Sequence, residues 1–258
     1  MSNLGAEISR AGGTSLNTIN RRVATLAPVL IVLAVGGASS VAQDADTRLA
    51  TLERLSARLS GLGSELQLLE DSKAIKRLQR AYGYYVDKGL ADEVIDLFSQ
   101  DATAELGGLG VFVGKERVAE LYRYLLGDGL DEGELNNHMI LQGVVHVDPG
   151  GMTAKGRWRA LIQLGQHGES ATWSEGPYEN EYVKENGVWR IAKLHWYMTF
   201  SSPYDPGWHL APQPMAGPLE DLPPDLPPSE EYEAYPSAYL PAYHYDNPVS
   251  GRPAGGRP

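Results

Sequence analysis

His138 follows the polar pair Asn136-Asn137 at the start of an alternating segment that runs to Val147. An imidazole at a pocket mouth titrates near neutrality, where a general base works best. A strand histidine satisfied by neighbouring backbone would look the same in sequence. Tyr82, Tyr84 and Tyr85 offer phenols that could polarise a carbonyl or hold a leaving oxygen. Helical spacing sets Tyr82 and Tyr85 on one side and turns Tyr84 away. Tyr85 is the preferred chemical partner, because it lies two residues before Asp87. Asp87 itself precedes Lys88-Gly89, where a capping or turn carboxylate is common. Farther along, His195 lies two residues from Tyr197 and, by strand alternation, on the face of Trp189 and Ile191. Trp158, Trp173 and Trp196 would wall an apolar substrate cavity if turned inward; core filling accounts for them equally well.

Other chemistries find little support. The 258 residues contain no cysteine, which removes thiolate metal sites, disulfides and a cysteine nucleophile. On simple alternation His138 and His146 share a strand face eight residues apart, too far at about 3.3 Å per residue to hold one ion. No G-x-G-x-x-G or phosphate-binding loop is present. The expectation is chemistry without metal or cofactor. A net charge of −11, from 22 Lys+Arg against 33 Asp+Glu, argues against nucleic acid as a partner.

The elements that must position these groups come in the order helices, then strands. Lys73 to Lys88 carries Ile75, Leu78, Tyr82 and Tyr85 on one face, with Asp71 or Ser72 as its cap. Asp92 to Phe98 is a short helix, Asp101 to Leu106 a strand, and Gly108 to Gly114 a turn with a short extended stretch. Lys115 to Leu126 is a further amphipathic helix. Four strand-like segments follow: Asn137–Val147, Thr153–Leu164, Glu169–Lys184 and Val188–Phe200. Gly176-Pro177 marks a bulge or bend, and Asn186-Gly187 a two-residue hairpin turn. This pattern predicts an α+β domain: a cone-shaped, strongly curved antiparallel sheet with helices over its concave side.

The ends differ from this middle. Arg21-Arg22, the apolar run Val23–Gly37 and small residues at Ser40 and Ala42 predict a secretory leader over 1–42, cleaved after Ala42. An uncleaved membrane anchor is the alternative, although the run is short for a span of about 20 residues. Cleavage would place the mature protein outside the cytoplasm, in a periplasm. Residues 43–69 form a helical stalk with leucines at 52, 55, 59, 62, 66 and 69, a seam interrupted by Gly61 and Gly63. Two uses are open: packing on its own domain, or pairing copies into a homodimer or homotrimer. Residues 70–210 are the folded domain. Twelve of the 17 prolines lie between Pro212 and Pro258, so 211–258 is expected to be an extended, largely disordered Pro/Tyr-rich tail, unless it docks on an aromatic groove.

Five short runs together resemble the SnoaL-like family of the nuclear transport factor two-like superfold, relatives of scytalone dehydratase and ketosteroid isomerase. They are Ala81–Gly89, Asp92–Phe98 with Asp101-Ala102, Phe112–Glu116, Asn137-His138-Met139 with Val145–Asp148, and Gly176–Glu179 with Asn186–Ile191. The resemblance spans Glu70 to Leu210. It implies that His138 handles a proton while Asp87, at the matching helix position, orients its ring. It also implies that His195 protonates a leaving group. By the ketosteroid isomerase analogy Glu175 would be the base instead. The function so implied is a cofactor-independent lyase, of dehydratase type, on a hydrophobic aromatic or polycyclic molecule. An isomerase and a non-catalytic small-molecule binder are the alternatives.

Overall fold

The structure is a computed structural model that describes residues 27–255, with side chains described from residue 41. The leader expected over 1–42 falls almost wholly outside the described side chains. Helix α1 runs unbroken over Ala27–Asp87. Gly61 and Gly63 lie within it, because two exposed glycines cost a long helix only about 1 kcal/mol each. The expected second start at Asp71 or Ser72 is therefore absent. Asp71 is instead buried and accepts hydrogen bonds from Lys184 Nζ and Trp189 Nε1, both at 2.8 Å. The leucines Leu52, Leu55, Leu59, Leu62, Leu66 and Leu69 are exposed. Among the described residues, no helix is long and apolar enough to cross a membrane.

Helix α2 covers Ala91–Asp96, and strand β1 (Phe98–Leu106) leads through a 3-10 turn to β2 (Val111–Val113). Helix α3 is Lys115–Leu126, the span its periodicity predicts. Strands β3 (Glu134–Val147), β4 (Thr153–Gln166), β5 (Ser170–Glu185) and β6 (Val188–Trp196) form a meander, and β7 (Phe200–Pro203) closes the sequence of elements. Between β5 and β6, Asn186 and Gly187 both take positive φ, as a tight hairpin turn requires. The seven strands form one sheet in the order β2-β1-β6-β5-β4-β3, with β7 on β5. The sheet is not wholly antiparallel: β1 and β6 run parallel, and every other pair is antiparallel.

At Gly176-Pro177, β5 exchanges β7 for β6 as partner. A Cβ on Gly176 would lie 1.9 Å from the Tyr197 carbonyl oxygen, so only glycine lets the crossing chain approach. The inner face of the sheet presents Trp158, Ala160, Tyr178, Tyr182 and Ile191 to α1 and α3, which contribute Ile75, Tyr82, Val118, Leu121 and Tyr122.

The opposite face is covered by the C-terminal segment, which is ordered rather than free. Leu226 pairs with Val111 through backbone hydrogen bonds of 2.9 and 3.2 Å. Asp225 accepts from the Val113 N–H and from Arg117 Nε. Ser229 donates its N–H and its hydroxyl to Glu105, and the Tyr235 N–H reaches Thr199 O. The Tyr243 ring lies 3.9 Å from the Arg157 guanidinium. An aperiodic Pro/Tyr-rich segment can order in this way because its contacts go to the sheet, and need no helix or strand of its own.

Candidate active site

The last turns of α1 press against β3 at Gly83, where a Cβ would meet the Ile140 side chain and the His138 carbonyl oxygen within 3 Å. That close approach brings Asp87 to His138, 51 residues later in the chain. Asp87 Oδ1 accepts the backbone N–H of His138. The imidazole turns the other way, and its Nε2 lies 2.9 Å from the Tyr178 hydroxyl. Tyr178 OH is 3.3 Å from Tyr82 OH, which is 2.9 Å from Tyr122 OH. A chain of four rings thus runs from His138 into the interior. Asp87 supports the strand at His138 and leaves the orientation of the ring to Tyr178.

Burial sets the protonation states. It pushes His138 down to about 4, so the ring is neutral at physiological pH. The same desolvation raises Tyr178 and Tyr122 well above the ordinary phenol value and Tyr82 above it, so all three remain neutral donors and acceptors. Beside this chain is a cleft of about 360 Å³ between α1 and β3, lined by Arg80, Tyr84, Asp87, His138, Met139 and Leu141 among others.

The remaining sequence candidates disperse. Tyr85 is half-buried against the core, and the phenol beside the imidazole is Tyr178. Tyr84, which helical spacing turned away from Tyr82, lines the cleft. Tyr82 is buried within the ring chain. Trp158 is core, its Nε1 donating to Tyr182 OH at 2.8 Å. Trp173 packs on Trp208, with ring centroids 4.7 Å apart. Trp196 donates to the Gly176 carbonyl oxygen. The three tryptophans therefore do not wall one cavity. Glu175 pairs with Arg159 on the outer face, away from His138.

His195 is the clearest correction. The β5–β6 pairing shifts by one residue between Glu181 and Tyr182, leaving Ala192 as a bulge. One extra residue reverses every side chain beyond it, so His195 leaves the face of Trp189 and Ile191. It stacks on Tyr197 at 3.8 Å, beneath the C-terminal segment and 3.5 Å from Glu105. Burial, with the Lys193 charge nearby, pushes it down to about 4 against the opposing pull of Glu230. A second shift, between Leu141 and Val144, puts His146 on the face opposite His138. Among the described residues, no group of three His, Asp or Glu could hold a metal ion.

Sequence reasoning passed over Tyr178, Tyr122 and Arg80. A signal for Tyr178 existed, since it shares strand parity with Tyr182 and follows Gly176-Pro177.

The sequence profile of the SnoaL-like domain matches residues 67–195, half of the chain and all the elements that position this cleft. The chain belongs to the SnoaL-like family. Among solved structures, LinA is 21% identical with a TM-score of 0.50, over 58% of this chain and 99% of that one. The LinA-type3 hexachlorocyclohexane dehydrochlorinase of Novosphingobium barchaimii is 20% identical, with a TM-score of 0.49 over 55% of this chain and 96% of its own. A nuclear transport factor two-like protein with a cystatin-like fold from Novosphingobium aromaticivorans is 22% identical, at a TM-score of 0.41 over 54% and 89%. Likeness at this level concerns the fold. No curated protein gives a significant match.

Proposed function

We propose that this SnoaL-like protein is an exported, cofactor-independent lyase that eliminates water or another small leaving group from a hydrophobic aromatic or polycyclic molecule. His138 is the base. With its proton on Nε2 and directed at Tyr178, Nδ1 carries the lone pair that removes a proton from the carbon next to the leaving group. The C–H electrons form the double bond, the C–O bond breaks, and the proton returns to the departing oxygen as water. The Tyr178 hydroxyl accepts from Nε2–H throughout and so supports the transient imidazolium. The observation that carries this reading is the buried, neutral His138 ring hydrogen-bonded to Tyr178 beside a ligand-sized cleft.

The test is turnover of cis-dihydrodiols of benzene and naphthalene, whose loss of water gives phenols visible by ultraviolet absorbance. His138→Ala should lower the rate by about 10² to 10⁴ while binding survives; equal rates would end the proposal. A binding role without turnover is the second reading. It is favoured by the interior rings, which satisfy one another and leave a ligand only the open cleft. A molecule co-purified in the cleft and recovered unchanged would support it.

Export rests on the leader pattern over 1–42, and N-terminal sequencing of the mature protein tests the cleavage after Ala42. The exposed leucines of α1 have the a/d spacing of a coiled coil, and we propose that they pair copies of this chain.

A further inference from the structure

Arg80 is exposed and lines both the cleft at His138 and a neighbouring one of about 850 Å³ at Trp189. Its neighbours one turn away on α1 are Lys76, Arg77, Gly83 and Tyr84, none of which is a carboxylate. Lys73, Lys76, Arg77 and Arg80 follow the i, i+3, i+4, i+7 spacing of a single helix face. Five arginines elsewhere in the domain, Arg117, Arg123, Arg157, Arg159 and Arg190, each hold an acidic side chain. Among the described residues none engages Arg80, in a chain of net charge −11. Arg77, one turn earlier, likewise has no acidic partner among the described residues. An unpartnered guanidinium beside a cleft is a ready carboxylate site, since its fork matches the two oxygens.

The cleft supplies the rest of a binding frame. Tyr84, one turn from Arg80 and largely exposed, presents a flat ring, and Met139 and Leu141 add apolar surface. Arg80 and Asp87 are seven residues apart, or about 10 Å along the helix. Such a span separates a carboxylate at one end of a one- or two-ring molecule from a reacting carbon at the other. Asp87 disfavours a second negative charge at its own end, which fixes the direction of entry. We infer that the cleft takes an aromatic or alicyclic carboxylate, with Arg80 binding the carboxylate and the ring lying against Tyr84 toward His138. This rests on the reading of the cleft as the ligand site.

The experiment compares 2-naphthoate with its methyl ester on the full chain, following the His138 imidazole resonances by NMR during titration. The acid should bind at least ten-fold more tightly than the ester. Arg80→Gln should remove that difference while leaving ester affinity within two-fold, and Arg80→Lys should restore part of it. If the ester shifts His138 as strongly as the acid, or Arg80→Gln keeps the preference, this inference fails and the cleft remains a ligand site. If neither compound moves the His138 resonances, the cleft reading fails and the inference falls with it.

Discussion

Asp87 and His138 meet through the main chain. The carboxylate accepts the backbone N–H of His138, and the imidazole faces Tyr178 at 2.9 Å. An asparagine Oδ1 could accept the same N–H. Asp87→Asn should therefore keep the rate of any proton transfer within about ten-fold of wild type. Asp87→Ala, which leaves a buried N–H without a partner, should cost about 1–3 kcal/mol of stability. Urea unfolding and initial rates on the same variants check both. A loss of 10² to 10⁴ in the asparagine variant would mean that the negative charge acts on the ring itself.

Tyr178 carries the imidazole. Removing its hydroxyl in Tyr178→Phe leaves His138 Nε2 and Tyr82 OH each one partner short. The variant should lose about 1–2 kcal/mol in urea unfolding, and the His138 ring resonances should broaden as its orientation relaxes. A sharp, unshifted His138 spectrum would place the orienting contact elsewhere.

Stability should fall in mild acid. Burial holds folded His138 and His195 at about 4, below the ordinary 6.5. Between those values the unfolded chain binds protons on both rings and the folded chain does not. Stability is therefore fully present above about pH 6.5 and is lost as pH drops toward 4. Each ring accounts for up to roughly 3 kcal/mol. Urea midpoints at pH 7, 5.5 and 4.5 should decline in the wild type and less steeply in His138→Gln; a parallel decline would refute the assignment.

The C-terminal segment should behave as part of the domain. Ending the chain at Leu210 removes the two Ser229 hydrogen bonds to Glu105 and uncovers His195. Hydrogen bonds to a charged group contribute about 1.5–3 kcal/mol each, so the truncated protein should be less stable by more than about 3 kcal/mol. Its His195 should titrate closer to 6.5, measured by NMR. Unchanged stability would show that the segment is dispensable.

The leucine seam predicts association. Leu59→Glu with Leu66→Glu should reduce the mass measured by light scattering to that of one chain, without loss of the domain's circular dichroism. A wild-type protein that is already monomeric at micromolar concentration would exclude the coil.

Much of this architecture could be read from periodicity and turn chemistry. Lys115–Leu126 repeats apolar residues at helical spacing, and Asn186-Gly187 takes the positive φ angles its residue types favour. Such features are set by neighbours a few residues apart, so the amino-acid order determines them directly. The α+β class, the curved sheet and the helices over its concave face were expected from the order of helices and strands. The pairing of Asp87 with His138 was expected from family resemblance, although the contact is made to the backbone N–H and not to the ring. Three decisions belonged to the tertiary structure. One-residue bulges at Ala192 and near Gln142 moved His195 and His146 across the sheet, and alternation cannot register an insertion that only strand pairing reveals. The Pro/Tyr-rich segment found its order on the outer face, where its hydrogen-bond partners, Glu105 and Thr199 among them, lie far away in the chain. Tyr178 became the partner of His138 because the curved sheet brings β3 and β5 together over α1, and contacts at that separation are resolved only when the whole core packs at once.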